Sequence, residues 1–212
     1  MDGTEATPVS RAERRQRATN DTRGSILAAA RATLLAVGYA NLSTRAVAEA
    51  AEVPLSQIHY HFGSKQQLIL GVLGAENDRL LGRQRSMFAE AEPLWVRWER
   101  ACDYLDEDIE SGYVRVLQEM IAAGWSDPEV AASVRDYIGG WMAVLREVAE
   151  RTAERLGGLG PFTPAEVAAL MGLPFLSAEA MILLGFREAD LPARSALRKV
   201  GAMIRAYEEN SR

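Results

Sequence analysis

The segment from residue 42 to residue 68 constrains the fold more than any other part of this 212-residue chain. It contains two short apolar patterns with helical spacing, separated by a break at Pro54. A proline restricts the residue before it to extended geometry and can itself open a helix. Ser43 is a good N-cap for the first of the two helices, and Gly63 is a natural end for the second. Two short helices across a turn of about four residues form a helix-turn-helix, so the spacing predicts this motif.

The composition predicts an all-α protein. Apolar residues make up 48% of the chain, and β-branched runs bounded by turn residues are almost absent. We therefore expect a flexible basic arm over residues 1–20, a helix-turn-helix domain over residues 21–66 and a larger helical domain over residues 67–212. The first helix is expected to start at a cap among residues 20–22 and to stop at Gly38.

Proline and capping residues divide the larger domain into further helices. Pro93 and the Asp127-Pro128 pair each open a helix, and Thr163 begins a capping box that leads into the most apolar stretch of the chain. Pro174 lies inside that stretch, so we expect a kink or a split there. A last helix is predicted from about residue 192 to residue 209.

The net charge of −5 is unevenly distributed along the chain. Residues 1–70 contain eight Lys or Arg and six Asp or Glu, which leaves a net charge of +2 there and −7 on the remainder. Only residues 1–70 have the net positive charge that suits binding to the phosphates of nucleic acid, since this electrostatic attraction is local. Arg11, Arg14, Arg15 and Arg17 lie in the predicted arm, for which a DNA contact and a solvated tail are equally supported.

The end of the helix-turn-helix pattern resembles the TetR family of transcriptional regulators. That family's signature ends in a run such as Leu-Tyr-x-His-Phe, followed by a turn and Ser-Lys. The resemblance covers about residues 22–70, and His59 replaces the tyrosine that the family usually has. The corresponding residues here are Ile58, His59, Tyr60, His61, Phe62, Gly63, Ser64 and Lys65.

The resemblance implies a ligand-responsive, DNA-binding transcriptional regulator. Repression is the commoner outcome in the family, by release of a palindromic operator when a small apolar or aromatic molecule binds the C-terminal domain, although activation stays open. The implied partners are double-stranded operator DNA, a small-molecule effector and a second copy of the chain. The alternative is a helical small-molecule binding or interaction module without DNA-binding activity.

The candidate DNA-binding residues fall into two groups. Thr44, Arg45 and Lys65 stand at helix N-termini, where backbone amides already favour anions, and the resemblance assigns them to the DNA backbone. The third helix is the one that the family lays in the major groove, where its exposed side chains would read bases. The candidates on that helix are Leu55, Ser56, Gln57, His59, Tyr60 and His61; for Tyr60, packing and phosphate contact are equally supported.

Large adaptable side chains in the middle helices predict an effector pocket. The helix after Thr163 is apolar nearly all round, and the last helix has apolar residues at a seam-like spacing; the resemblance implies that such helices form a four-helix dimer interface. One short recognition helix also offers few base contacts, so we expect a homodimer. Small residues such as Gly201 would allow its helices to approach closely. The candidate ligand residues are Trp95, Trp98, Tyr104, Tyr113, Met120, Trp125, Tyr137, Trp141 and Phe175. The candidate interface residues are Val167, Leu170, Met171, Leu197, Val200, Ile204 and Tyr207.

Other functions receive little support from the sequence. We predict no catalytic site, no metal site and no cofactor, because the histidines lie two apart on one helix and no nucleophile and base can be paired. Cys102 is expected to be a core residue rather than a redox sensor. The acidic run from Glu99 to Glu110 is interpreted as a solvated helix face, and the alternative is an acidic surface near a pocket that favours cationic compounds. Without an apolar leader or an uninterrupted apolar span, the protein is expected to be cytoplasmic.

Overall fold

The computed structural model describes residues 10–210 of the chain, and these residues form helices joined by short turns. The all-α prediction is confirmed. The helices within the described residues are α1 (Arg11–Asn41), α2 (Thr44–Ala50), α3 (Leu55–Phe62), α4 (Lys65–Ala89), α5 (Leu94–Glu110), α6 (Tyr113–Gly124), α7 (Pro128–Leu156), α8 (Pro164–Leu183) and α9 (Ala193–Asn210).

The chain divides into two compact units between Val72 and Leu73, somewhat after the boundary predicted at residue 66. The first unit holds α1 to α3 and the start of α4. Its core contains Ile26, Leu34, Val47 and Ile58, each at most 2% exposed.

The first helix starts earlier than the sequence predicted. Residues 11–20, expected in a flexible arm, are part of α1, because the run of Ala, Arg, Glu and Gln there has high helix propensity. Residues 1–9 of the predicted arm, and the side chains of its four arginines, lie outside the described part. The predicted stop at Gly38 is confirmed as a break in helical geometry, with φ 77° and ψ 167°, a conformation that glycine adopts without steric cost.

The second unit is built from the rest of α4 and from α5 to α9. The predicted caps are confirmed: the Asp127 carboxylate accepts hydrogen bonds from the Glu129 and Val130 amides, and Thr163 and Glu166 form a capping box. Helix α8 continues through Pro174 and is not split there. Pro174 is exposed, so water can hydrate the carbonyl group that loses its helical partner.

Helix α9 turns its predicted seam inward, against α5 of the same chain. Leu197 is 5% exposed and packs with Trp98 and Phe175, and Val200 and Ile204 border the same cluster. A Cβ atom on Gly201 would lie only 2.9 Å from Cδ1 of Trp98, so the close approach at this glycine is within the protomer. The assignment of Leu197 to a dimer interface is therefore wrong, because its side chain is already buried in the core.

The outer faces of α8 and α9 carry large exposed apolar residues. Leu170 is 58% exposed, Met203 72% and Tyr207 59%, so these two helices present apolar surface to solvent. Helix α8 is also, by length and composition alone, apolar enough to cross a membrane. Its other face packs inside the second unit through Ala168, Gly172, Phe175 and Ala178, as a helix of a globular core does.

Candidate DNA-binding site and effector cavity

The helix-turn-helix is held together by side chains that point away from its candidate reading surface. Val47 of α2 and Ile58 of α3 are both fully buried. The Ser43 side chain accepts a hydrogen bond from the Ala46 amide at 3.1 Å, as predicted for the N-cap of α2. Gly63 ends α3 with φ 74°, and its amide bonds the His59 carbonyl at 3.0 Å. These contacts fix α3 against α2 and leave its other face accessible.

The accessible face of α3 contains the predicted base-reading residues. Ser56 is exposed, and Leu55 and Gln57 are half-buried in the first turn of the helix. Tyr60 is 75% exposed and so does not pack in the core, which leaves phosphate contact as its candidate role. Its ring meets His61 edge-on, with centroids 5.0 Å apart.

His59 makes a local contact that the usual tyrosine could not make in the same way. Its Nδ1 lies 3.1 Å from the Gly63 carbonyl oxygen. A carbonyl oxygen only accepts, so Nδ1 carries the proton and Nε2 of the neutral ring is an acceptor. His59 therefore ties the C-terminal end of α3 to the following turn, and its exposed ring still has one nitrogen for a further contact.

The three candidate phosphate contacts have different surroundings. Ser43 provides the cap of α2, so Thr44 is not needed for capping, and the neighbouring Arg45 is exposed. The Lys65 ammonium donates to the Ala40 carbonyl at 3.3 Å and lies 4.8 Å from the ring centre of Tyr39. An ammonium group has three donors, so Lys65 can hold the end of α1 and still bind a phosphate.

A cavity of about 70 Å³ lies inside the second unit, and its walls are largely apolar, with seven aromatic residues. It is bordered by α4, α5, α6, α7 and α8. Phe175 meets the rings of Trp98 and Trp141 edge-on, with centroids 5.2 Å and 6.3 Å away. Six of the predicted ligand residues line the cavity, namely Trp98, Tyr104, Tyr113, Tyr137, Trp141 and Phe175.

The other three predicted ligand residues lie outside this cavity. Trp95 is one helical turn before Trp98, beyond the end of the cavity, with the Arg205 guanidinium 4.8 Å from its ring centre. Met120 is fully buried in the core, and Trp125 is 84% exposed just after α6. An aromatic residue at helical spacing can face a cavity, a solid core or solvent, and only the packing decides among these.

The cavity wall also carries polar groups that the sequence reasoning did not assign to a ligand site. Asn77 accepts a hydrogen bond from the Tyr113 hydroxyl at 3.4 Å, and Gln84 accepts one from the Trp141 indole at 2.7 Å. Asp108 and Glu179 are the acidic residues of the wall. The sequence could have indicated Glu179 as a candidate ligand residue, since it is the only charged residue between Val167 and Phe186.

The acidic face of α5 is not simply solvated, as the sequence suggested. Arg198 of α9 bonds Glu99 and Asp103 at 3.1 Å and 2.7 Å, and Arg194 bonds Asp106 at 2.6 Å. Asp108 receives both of its bonds from the Arg83 guanidinium of α4, at 2.7 Å and 2.6 Å. This face therefore connects α5 to its neighbouring helices, because partners distant in sequence meet it after folding.

Cys102 is a core residue, as predicted. It is 4% exposed, and burial raises the pKa of its thiol to about 12. The thiolate is the reactive form of cysteine. We therefore expect less than one tenth of the folded protein to be alkylated by iodoacetamide at pH 8 in a time that fully labels the unfolded chain. Mass spectrometry of both samples measures this, and equal labelling rates would show that the thiol is accessible.

Known proteins match both the motif and the fold. Residues 26–72 match the family model described as bacterial regulatory proteins, tetR family. The HTH-type transcriptional regulator UidR of Escherichia coli (strain K12) is 28% identical over 148 residues, which is 66% of this chain and 70% of that protein. Residues 26–72 are a TetR-family DNA-binding domain. The TetR-family relatives are transcriptional regulators, which confirms the prediction of a DNA-binding regulator rather than an enzyme.

Solved structures share the fold of this chain at low sequence identity. A TetR-family regulator from Mesorhizobium loti has a TM-score of 0.73 at 16% identity, over 89% of this chain and 97% of that one. A transcriptional regulator from Saccharomonospora viridis in complex with choline has a TM-score of 0.69 at 20% identity, over 85% and 95% of the respective chains. The arrangement of an N-terminal helix-turn-helix followed by a helical body is thus shared with these proteins.

Proposed function

We propose that this protein is a cytoplasmic repressor of the TetR family that releases a palindromic operator when a small apolar or aromatic molecule enters the cavity of the second unit. The cavity carries this proposal, since small-molecule sites are usually concave and apolar with a few polar groups; at about 70 Å³ it has to widen when an effector enters. The choline bound to the regulator from S. viridis supports a small-molecule effector for a fold of this kind.

The exposed residues of α2 and α3 support a specific interaction with DNA. Gln57 has an amide that can pair with both the N6 and N7 atoms of an adenine, and Ser56 can donate or accept. Described α3 residues include no arginine, so we infer limited base readout supplemented by DNA shape. Arg45, Thr44 and Lys65 would fix the register of the protein through phosphate contacts.

Helix α4 provides a physical route for the release. Its residues belong to both units, since it begins beside the helix-turn-helix and continues along the cavity through Asn77, Leu81 and Gln84. A ligand that binds one position of α4 more tightly than another favours the conformation with that position. The shift between DNA-binding and released conformations is then set by the difference in the ligand's affinity for the two.

The proposal is tested by operator binding with and without the effector. Palindromes from the promoter region beside the protein's own gene are screened by fluorescence anisotropy, and mass spectrometry identifies any molecule that co-purifies with the protein. We expect one palindrome to bind more tightly than random DNA by at least 1,000-fold, as specific sites generally do. An effector that occupies the cavity without changing operator affinity would contradict the release mechanism.

We further propose that the regulator acts as a homodimer through the outer faces of α8 and α9. Exposed apolar side chains on two adjacent helices support an isologous four-helix interface. Leu170 and Tyr207 are exposed candidates from the sequence, and Val167 and Met171 are half-buried beside them.

A dimer through these helices predicts that charge on their outer faces separates the subunits. We expect the double substitution Leu170→Glu with Met203→Glu to give a monomer at micromolar concentration, because four carboxylates would be brought together in an apolar interface. Analytical ultracentrifugation measures the association. The matched control is Trp125→Glu, which places a charge at an exposed apolar residue outside α8 and α9 and should leave the dimer intact. Dimerisation of the double variant would exclude this interface.

A further inference from the structure

Glu179 differs from the other acidic residue of the cavity wall in how its charge is compensated. Asp108 is held by two bonds from the Arg83 guanidinium, which also stacks 3.9 Å from the ring centre of Tyr104. Glu179 receives only a 3.3 Å hydrogen bond from the neutral Gln118 amide to Oε2. Within residues 10–210, no Lys or Arg side chain forms an ion pair with it. Glu179 is therefore a cavity carboxyl group without a protein counter-ion.

The surroundings of Glu179 disfavour its charge in the absence of a ligand. Its pKa is raised to about 8, mainly through burial; the Gln118 bond opposes this rise and the nearby Asp108 adds to it. Tyr113 and Tyr137, which share the cavity wall, also have raised pKa values, mainly through burial. The titratable groups near this carboxyl group are thus Asp108 with its partner Arg83, and Tyr113; Tyr137 lies elsewhere on the same wall. The single basic group among them, Arg83, is already occupied by Asp108.

We propose that the cavity takes a cationic ligand, an amine or quaternary ammonium compound with an aromatic or apolar body, and that Glu179 is its counter-ion. This inference rests on the proposed effector role of the cavity. The rings of Trp98, Trp141, Tyr113 and Phe175 provide faces and edges for the apolar body, and aromatic faces attract cations directly. A cation beside Glu179 would replace the missing counter-ion, because an opposite charge favours the ionised form of a buried carboxyl group.

Proton linkage gives this proposal a specific pH dependence. With its pKa raised to about 8, Glu179 in the ligand-free protein becomes increasingly protonated as the pH falls below 8, and a cation binds its ionised form. The affinity for a cation should therefore rise roughly tenfold per pH unit from pH 6 towards pH 8, and then level off. An uncharged ligand of the same shape should show no such rise, since it gains nothing from the ionised carboxylate.

The test compares 2-phenylethylamine with 2-phenylethanol, which have similar size, by isothermal titration calorimetry between pH 6 and 8.5. The amine stays protonated in this range, as a lysine side chain does. At pH 8 we expect the amine to bind at least tenfold more tightly than the alcohol. At pH 6 to 7 its binding should release close to one proton, which appears as a heat dependent on the buffer. Glu179→Gln, which keeps the shape and the contact with Gln118, should abolish both the preference and the pH dependence.

A control variant and a separate measurement distinguish this proposal from the function on which it rests. The double substitution Arg83→Gln with Asp108→Asn is the matched control, because it removes a compensated ion pair together and leaves no freed cation near Glu179, and it should keep the preference for the amine. Equal binding of the two probes, tighter binding of the alcohol, or no binding of the amine would overturn the cationic class. Operator binding and release by a co-purified effector are measured separately, so their failure would instead overturn the proposed function.

Discussion

Gln57→Ala is expected to weaken operator binding by roughly 2–6 kcal/mol per dimer. A bidentate pair between a side chain and a base contributes about 1–3 kcal/mol of discrimination, and a dimer loses one such pair in each half-site. Gln57 stands in the first turn of α3, beside the exposed Ser56, where a base-reading side chain is expected. Fluorescence anisotropy with the operator, and with operators altered one base pair at a time, measures the loss of affinity and locates the contacted position.

The matched comparison for Gln57 is Arg45→Ala. Arg45 is exposed at the start of α2, and a phosphate contact there should weaken binding to all sequences alike. The slope of log affinity against log salt should fall by about one for each lost contact. Arg115→Ala, on an exposed arginine of α6, should change neither quantity. A Gln57 variant that lost affinity equally for every sequence would show that Gln57 contacts the DNA backbone.

Trp98→Ala is expected to lower the free energy of unfolding of the second unit by about 3–5 kcal/mol, as large-to-small substitutions of buried aromatic residues do. Trp98 is 4% exposed and joins three helices. Its indole donates to the Leu197 carbonyl of α9 at 2.7 Å, and its ring meets Phe175 of α8 edge-on. Chemical denaturation followed by circular dichroism measures the change.

Two other tryptophan variants test which part of that loss comes from burial. Trp125→Ala removes the same side chain from a site that is 84% exposed, and it should change stability by no more than about 0.5 kcal/mol. Trp98→Phe keeps an aromatic ring but leaves the Leu197 carbonyl without its donor, which should cost about 1–3 kcal/mol. A similar loss for Trp98→Ala and Trp125→Ala would contradict the assignment of Trp98 to the core.

The local signals of the sequence were sufficient where neighbours in the chain decide the structure. Ser43 caps α2, α3 spans residues 55–62, and Asp127 and Thr163 cap the helices that follow them, all as predicted. Capping, turn geometry and the restriction before proline act over three or four residues, so they can be read along the chain. The predicted start of α1 was wrong, because residues of high helix propensity precede the plausible caps at residues 20–22 and extend the helix towards the N-terminus.

The sequence by itself determined the all-α fold, the helix-turn-helix and the resemblance to TetR regulators, because each depends on residues close together in the chain. Only the tertiary structure decided which apolar residues face inward. It placed Leu197 against Trp98 rather than at a subunit surface, and it excluded Trp125 from the cavity. It also brought Arg83 to Asp108 while leaving Glu179 with an amide alone. The physical reason is that burial and charge compensation depend on contacts between helices far apart in sequence, which helical periodicity does not specify.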